Sequence, residues 1–312
     1  MRYFIGVDGG GTKTQYALFD ESKKILLSVK GPGTNHENYE GSFDEASNLI
    51  WQGLTELLHK ADLQVSDISF TLMGLAGIDH PFQYDAMREK LENFGLKNFE
   101  IFNDGFIVVK AGASASSAIG YNCGTGTCCN AVDDEGTMLQ LAGLGDFSGD
   151  VGNGHWIALK VFNAIYDELF LFIHKTEMTK LFLEKFGIKE REEFLGTLEN
   201  LATEAADDYI RTLIDIFFTA ANNSDPAALE LMEKMAERGA QLITAHEKTL
   251  KFNAEPIEVI LSGSIHTKLP ADKYIQMMAE KTTAMSNRKF IFKKLEVPPV
   301  VGCINWIFQE YV

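Results

Sequence analysis

Ile5-Gly6-Val7-Asp8-Gly9-Gly10-Gly11-Thr12-Lys13-Thr14-Gln15-Tyr16-Ala17-Leu18-Phe19 joins two apolar runs through a loop of glycines and threonines with one lysine and one carboxylate. Glycine lacks the Cβ that keeps a backbone away from a bound group. Such a loop can therefore wrap N–H donors, hydroxyls and an ammonium around a phosphate. The flanks set its geometry: Tyr3-Phe4-Ile5 and Tyr16-Ala17-Leu18-Phe19 are aromatic and apolar over strand lengths, which predicts a β-hairpin. Two other phosphate loops are excluded. A Walker A loop places Gly, Lys and Ser/Thr in succession ahead of a helix, whereas Thr12 stands between Gly11 and Lys13. A dinucleotide fingerprint counted from Gly9 wants glycine where Thr14 stands, and again a helix behind it. A glycine-rich turn holding no ligand is the remaining alternative.

The scheme recurs without a gap 114 positions later, where Ile119 to Glu135 lies over Ile5 to Glu21. Ile5/Ile119, Gly6/Gly120, Gly10/Gly124, Ala17/Ala131, Asp20/Asp134 and Glu21/Glu135 coincide. The shared order says more than the identities: strand, Gly/Thr loop, strand, acidic turn, then another apolar strand at Ile25–Val29 and Met138–Leu141. Two related domains, each giving one phosphate-holding hairpin to a shared cleft, explain the echo economically.

The bulk properties are those of a globular protein, with 312 residues, 46% hydrophobic and 23% charged. A formal net charge of −16 disfavours nucleic-acid and anionic-membrane partners, which select basic faces. No run approaches a membrane span, and Met1-Arg2-Tyr3-Phe4 leads into a strand with no apolar leader, so a cytoplasmic location is expected. Cys123, Cys128, Cys129 and Cys303 show no paired C-x-x-C spacing, which argues for reduced thiols.

Ser42-Phe43-Asp44-Glu45 reads as a capping box opening a helix. A buried strand is expected at Ile68–Met73, a helix from Pro81 to Asn93, and a short strand at Phe99–Asn103 with Asp104 just beyond it. From about 155 to 252 the periodicity is helical, with Trp156, Leu159, Phe162, Ile165, Tyr166 and Leu169 as one stripe. A strand returns at Ile257–Leu261, a helix follows from about Pro270, and Val300–Phe308 reads as a terminal helix. A domain boundary is placed at 116/117, inside Ala113-Ser114-Ala115-Ser116-Ser117, with hinge closure expected there.

Gly9–Thr14, Thr34-Asn35-His36, Asn103-Asp104, Gly124–Thr127, Gly149–Gly152 and Leu261–Ser264 occur in an order that resembles the actin-like ATPase superfamily. Within it the chain is most similar to the N-acetylglucosamine kinase group of the BadF/BadG/BcrA/BcrD ATPases. The resemblance implies an α/β, two-domain, ribonuclease H-like fold with an inter-domain cleft. It places a first domain at 1–116 and a second at 117–312, the latter with a helical insertion and a final helix packing back on the first. It further implies ATP and Mg²⁺ as cofactors, an amino sugar as acceptor and a homodimer.

Phosphoryl transfer needs a clamp for the donor phosphates, a metal site and a base for the acceptor hydroxyl. The resemblance gives Gly10, Gly11, Thr12 and Lys13 to the phosphates from one side, and Gly124, Thr125 and Gly126 from the other. It gives Gly263, Ser264 and Ala221 to the nucleoside, although Ala221 reads equally as part of a helix junction. Asp8 is a Mg²⁺ ligand through water or an Asx-turn residue ordering the hairpin. Asp104 is the base that takes the hydroxyl proton or the N-cap of the following helix. Asn35, His36, Thr127, Cys128, Gly143, Leu144, Gly145 and Asp150 fall to the sugar, with His36 equally readable as a structural loop residue. Two departures bear on the sugar. Leu144 stands where these kinases carry a bulky aromatic, and Val151 where they carry an acid. The 6-hydroxyl of N-acetylglucosamine, glucosamine or N-acetylmuramic acid is the implied acceptor. The same family holds redox activators of 2-hydroxyacyl-CoA dehydratases, which carry an iron–sulfur cluster between subunits. That role needs cysteines at an interface, whereas three of these four sit in the phosphate hairpin.

Overall fold

The computed structural model describes residues 2–312, so Met1 of the expected leaderless start lies outside the described residues. In chain order the elements are β1 (Tyr3–Gly9), β2 (Lys13–Asp20), β3 (Ile25–Pro32), α1 (Ser42–Ala61), β4 (Ile68–Leu75), α2 (Pro81–Asn93), β5 (Phe99–Phe102) and α3 (Asp104–Gly112). There follow β6 (Ala118–Cys123), β7 (Thr127–Val132), β8 (Met138–Ala142), α4 (Gly154–Tyr166), α5 (Glu177–Phe186), α6 (Arg191–Gly196), α7 (Ala206–Asn222) and α8 (Pro226–Thr249). The chain ends with β9 (Ile257–Ser262), α9 (Ser264–Thr267), α10 (Asp272–Met285), β10 (Phe290–Lys294) and α11 (Val300–Glu310). The strands form two five-stranded sheets, ordered β3-β2-β1-β4-β5 and β10-β9-β6-β7-β8.

Two compact units are present. The first holds the chain through Gly120 together with Asn130–Gln140 and Leu295–Val312; the second holds Tyr121–Cys129 and Leu141–Lys294. This division differs from a single cut at 116/117, because both the β7–β8 turn and α11 group with the first unit.

In the first unit β1 runs antiparallel to β2 and parallel to β4, so the sheet is mixed at its centre. Phe4, Ile5 and Val7 are all buried, as expected of a strand covered on both faces. One face packs Ile5, Val7, Tyr16 and Leu18 against Ile50, Leu54 and Leu57 of α1 and Met87 and Leu91 of α2. The other face receives α11. A Cβ on Gly6 would come within 2.8 Å of Cys303 Cβ, and one on Gly302 within 1.9 Å of the Ile107 carbonyl, so α11 can lie this close only on glycines. Trp306 of α11 stacks on Phe102 with ring centroids 3.8 Å apart.

In the second unit Val259, Ile260 and Leu261 of β9 are fully buried, and Phe162, Phe182, Phe194 and Tyr209 form an aromatic core among the helices. Two readings of the sequence change here and in the first unit, and one strand joins them. The helix at 42 is not capped by Ser42: Gly41 is its N-cap, with no side-chain cap bond, and Ser42 itself has φ 47°. The inward stripe of α4 is Ile157, Ala158, Val161 and Ile165, whereas Leu159 is 57% exposed. The short strand β10, set between lysines, pairs in parallel with β9 and carries no alternation strong enough to announce it.

Candidate active site

The first hairpin closes through Gly10 N–H, which donates to the Lys13 carbonyl at 3.0 Å, and Thr34 N–H, which donates to the Gly10 carbonyl at 3.0 Å. Asn38 Nδ2 ties down the Gly11 carbonyl at 2.9 Å. Gly33 lies against the loop so tightly that a Cβ would sit 2.2 Å from the Gly11 oxygen. Gly11, Thr12 and Lys13 remain exposed. A Cβ built on Gly11 would meet Asn38 Nδ2 at an ordinary 3.5 Å and nothing tighter, so this glycine is not demanded by packing.

Asp8 is the penultimate residue of β1, opposite Gln15 and beside Gly74 of β4. Burial pushes its carboxyl up to about 6 against the pull of the Lys13 ammonium. Asp104 is the first residue of α3, immediately past β5. The capping duty allowed for it in the sequence belongs to Asn103, whose Oδ1 accepts from Gly105 N–H at 2.8 Å. Burial first, then the carboxylates of Asp8 and Asp79, push the Asp104 carboxyl up to about 7, while the Gly105 N–H pulls the other way. A carboxylate near neutrality at the C-terminal end of a strand is suited to accept a proton at physiological pH.

The sequence did not flag Asp79. It lies beyond β4 and accepts hydrogen bonds from Asn103 Nδ2 at 2.9 Å and Gln140 Nε2 at 2.8 Å, partners 24 and 61 positions away. No local pattern signals such a pairing.

Asn35 and His36 lie in the same unit. Asn35 Oδ1 caps a short turn by accepting from Glu37 N–H at 2.9 Å, and it lies 2.3 Å from a built Cβ at Gly77. His36 is buried, its Nε2 bonds the Gly77 carbonyl at 2.9 Å, and its ring stacks on Phe43 at 3.9 Å. Of the two readings of His36, these contacts fit the structural one.

In the second unit the echo of the first hairpin closes through Gly124 N–H to the Gly126 carbonyl at 2.9 Å. The first residue of α4 braces it: Gly154 N–H donates to the Gly124 carbonyl at 2.8 Å. Thr125 and Gly126 are exposed, and no atom lies within 4 Å of a Cβ built on Gly126. Thr127 is buried with its hydroxyl 3.7 Å from Cys123 Sγ, and Cys128 is half-buried. Gly263 has φ 83° and packs on this hairpin, since a Cβ there would meet the Cys123 carbonyl at 2.1 Å. Ser264 is its neighbour, with N and Oγ 3.5 and 3.6 Å from a Cβ built on Gly124. The structure thus brings Gly124, Gly263 and Ser264 together. It does not bring Ala221 to a surface: that residue is fully buried, and its carbonyl accepts from Lys273 Nζ at 2.8 Å. The junction reading of Ala221 fits this placement.

Gly143, Leu144 and Gly145 are exposed on a loop that Asp150 holds from below. The Asp150 carboxylate accepts from the N–H groups of Gly143 at 3.0 Å and Gly145 at 2.8 Å, and from Ser148 Oγ at 2.7 Å. Its oxygens are engaged by the loop itself, so Asp150 braces the loop that carries Gly143 and Gly145. Cys123, Cys129 and Cys303 are buried and burial raises all three thiols, Cys123 to about 12, which suits protonated packing residues better than cluster ligands. No helix among the described residues is long and apolar enough to cross a membrane.

Two five-stranded sheets, each with a Gly/Thr hairpin between its early strands, define the actin-like ATPase, ribonuclease H-like fold. The chain belongs to the BadF/BadG/BcrA/BcrD ATPase family, which matches residues 5–302. It is 22% identical over 267 residues to an N-acetylmuramic acid/N-acetylglucosamine kinase of Clostridium acetobutylicum, covering 85% of this chain and 86% of that one. It is 24% identical over 280 residues to an N-acetyl-D-glucosamine kinase of Dictyostelium discoideum, with coverages of 85% and 86%. Among solved structures, a candidate N-acetylglucosamine kinase of Chromobacterium violaceum superposes with a TM-score of 0.69 at 19% identity, over 97% of this chain and 98% of that one.

Proposed function

We propose that this protein is an ATP-dependent kinase of an amino sugar, with Asp104 as the general base. The observation that carries the reading is the placement of Asp104 at the start of α3 with its carboxyl held near 7. The names of the Clostridium and Dictyostelium relatives support the sugar class. Asp104 accepts the proton of the sugar hydroxyl as its oxygen attacks the γ-phosphorus, and ADP departs with the bridging oxygen. Gly10, Gly11, Thr12 and Lys13 of the first unit's hairpin bind donor phosphate, and the Gly124, Thr125 and Gly126 hairpin of the second unit has the same phosphate-holding chemistry. Gly263 and Ser264 serve the nucleoside.

Asp8 is the residue that would hold Mg²⁺. No group of three or more metal-ligating side chains occurs among the described residues. One half-buried carboxylate lacking a full counter-charge fits an ion that keeps its waters and rides on phosphates. The bound ion would neutralise charge on the transferring phosphoryl group. Leu144 takes less room than the aromatic it replaces, so N-acetylmuramic acid with its lactyl ether is an acceptor beside N-acetylglucosamine.

The test is ADP release measured with N-acetylglucosamine, N-acetylmuramic acid and glucosamine, for the native protein and for Asp104→Asn. Sugar-dependent turnover lowered about 10²–10⁴-fold in the variant is expected. ATP hydrolysis indifferent to every sugar, or undiminished turnover in Asp104→Asn, overturns the reading.

A further inference from the structure

Four side chains beside Asp104 close into a ring of hydrogen bonds. Asp79 Oδ1 accepts from Asn103 Nδ2 at 2.9 Å and from Gln140 Nε2 at 2.8 Å. Asn130 Nδ2 lies 3.3 Å from both Asn103 Oδ1 and Gln140 Oε1, which completes the circuit. The members come from the segment after β4, the β5–α3 junction, β7 and β8, so the ring ties four separate pieces of the first unit at one point. Asn103 Oδ1 also accepts the Gly105 N–H at 2.8 Å, so the ring holds the cap of α3. Asn130 is fully buried, and a Cβ on Gly105 would stand 2.1 Å from its Oδ1. The first turn of α3 is therefore bonded on one side and blocked on the other, with Asp104 between Asn103 and Gly105.

We propose that Asp79, Gln140 and Asn130 are positioning residues that fix Asp104 for the transfer step through Asn103 and Gly105, without touching the sugar. A closed ring of side-chain bonds anchored on the buried Asn103 and Asn130 favours a single geometry, and a base displaced by about 1 Å can lose about 10²-fold in rate. The inference rests on the kinase reading, and its mechanical half can be tested apart from it.

The variants are Asp79→Ala and Gln140→Leu, which break the ring, and Asp79→Asn, which keeps an amide oxygen to accept both bonds. At pH 8.5, where Asp104 is ionised in all of them, the ring-breaking variants should lose about 10–100-fold in kcat with KM for ATP within about twofold. Asp79→Asn should stay within about threefold. Amide hydrogen exchange at Gly105 and Phe106 should quicken in the breaking variants only. Unchanged kcat in both breaking variants, or equal losses in Asp79→Asn and Asp79→Ala, overturns the positioning role. If the native protein turns over no amino sugar, the kinase reading fails, and exchange at Gly105 still decides whether the ring holds α3: unchanged exchange in the breaking variants overturns it.

Discussion

Asp104 carries opposite demands. Its carboxyl is held at about 7 by burial and by two neighbouring carboxylates, well above the value near 4 of a free aspartate. As a base it must be ionised, so kcat/KM for the sugar should rise with pH through about 7 and level off above it. A pH–rate profile with no acid limb between about 6 and 8 would count against this. The folding linkage has the reverse sign. A carboxyl whose folded value is raised stabilises the protein below its unfolded value, and that contribution is lost as pH climbs through the folded one. Asp104→Asn removes the buried charge, so at pH 8 its Tm should exceed that of the native protein by about 2–4 °C while turnover collapses. Calorimetry at pH 5 and pH 8 checks it, because the gain should shrink at the lower pH.

At the scale of elements, the two Gly/Thr hairpins were legible because each is local: alternating apolar strands around a run that only a tight turn tolerates. What the glycines do was less so. Gly126 opens space, whereas Gly263 closes it by resting on the Cys123 carbonyl with a left-handed φ of 83°. Gly263→Ala should therefore push the β9–α9 turn off the hairpin, raising KM for ATP about tenfold or more and lowering Tm, and the effect should exceed that of Gly126→Ala. Asp150 has a further role that its sequence context does not announce. A carboxylate in a glycine-rich loop reads as a ligand contact, and only the folded loop reveals that Gly143, Gly145 and Ser148 already engage it. Asp150→Ala should loosen the loop, and limited proteolysis between 143 and 149 ought to quicken; a cleavage rate equal to the native one would refute the bracing role. The α4 stripe was misread because α4 ends in aromatics. Tyr166 looks like core but is exposed, whereas the smaller Ile157, Ala158 and Val161 are fully or nearly buried and Phe162 stacks on Phe194.

Across the whole molecule, the sheets could be anticipated from chain order, but their closure could not. The ring of Asp79, Asn103, Asn130 and Gln140 joins residues up to 61 positions apart, and no spacing rule links them. The return of α11 was expected from family likeness; its mode of contact, through Gly302 against Ile107 and Trp306 against Phe102, required the coordinates. Gly302→Ala should lift that helix and cost about 2 kcal/mol or more, read from urea unfolding, and the unfolding slope should stay native if the first unit still forms as a whole.

The grouping of Leu295–Val312 with the opening strands also has a consequence for biosynthesis. A ribosome delivers β1 to β5 first, yet the part of β1 at Gly6 that α11 covers stays open until α11 emerges. The segments Tyr121–Cys129 and Leu141–Lys294 are complete before that moment. Nascent chains usually mature from the amino end. Here the opening strands must wait, part of their apolar sheet uncovered, until α11 has been made.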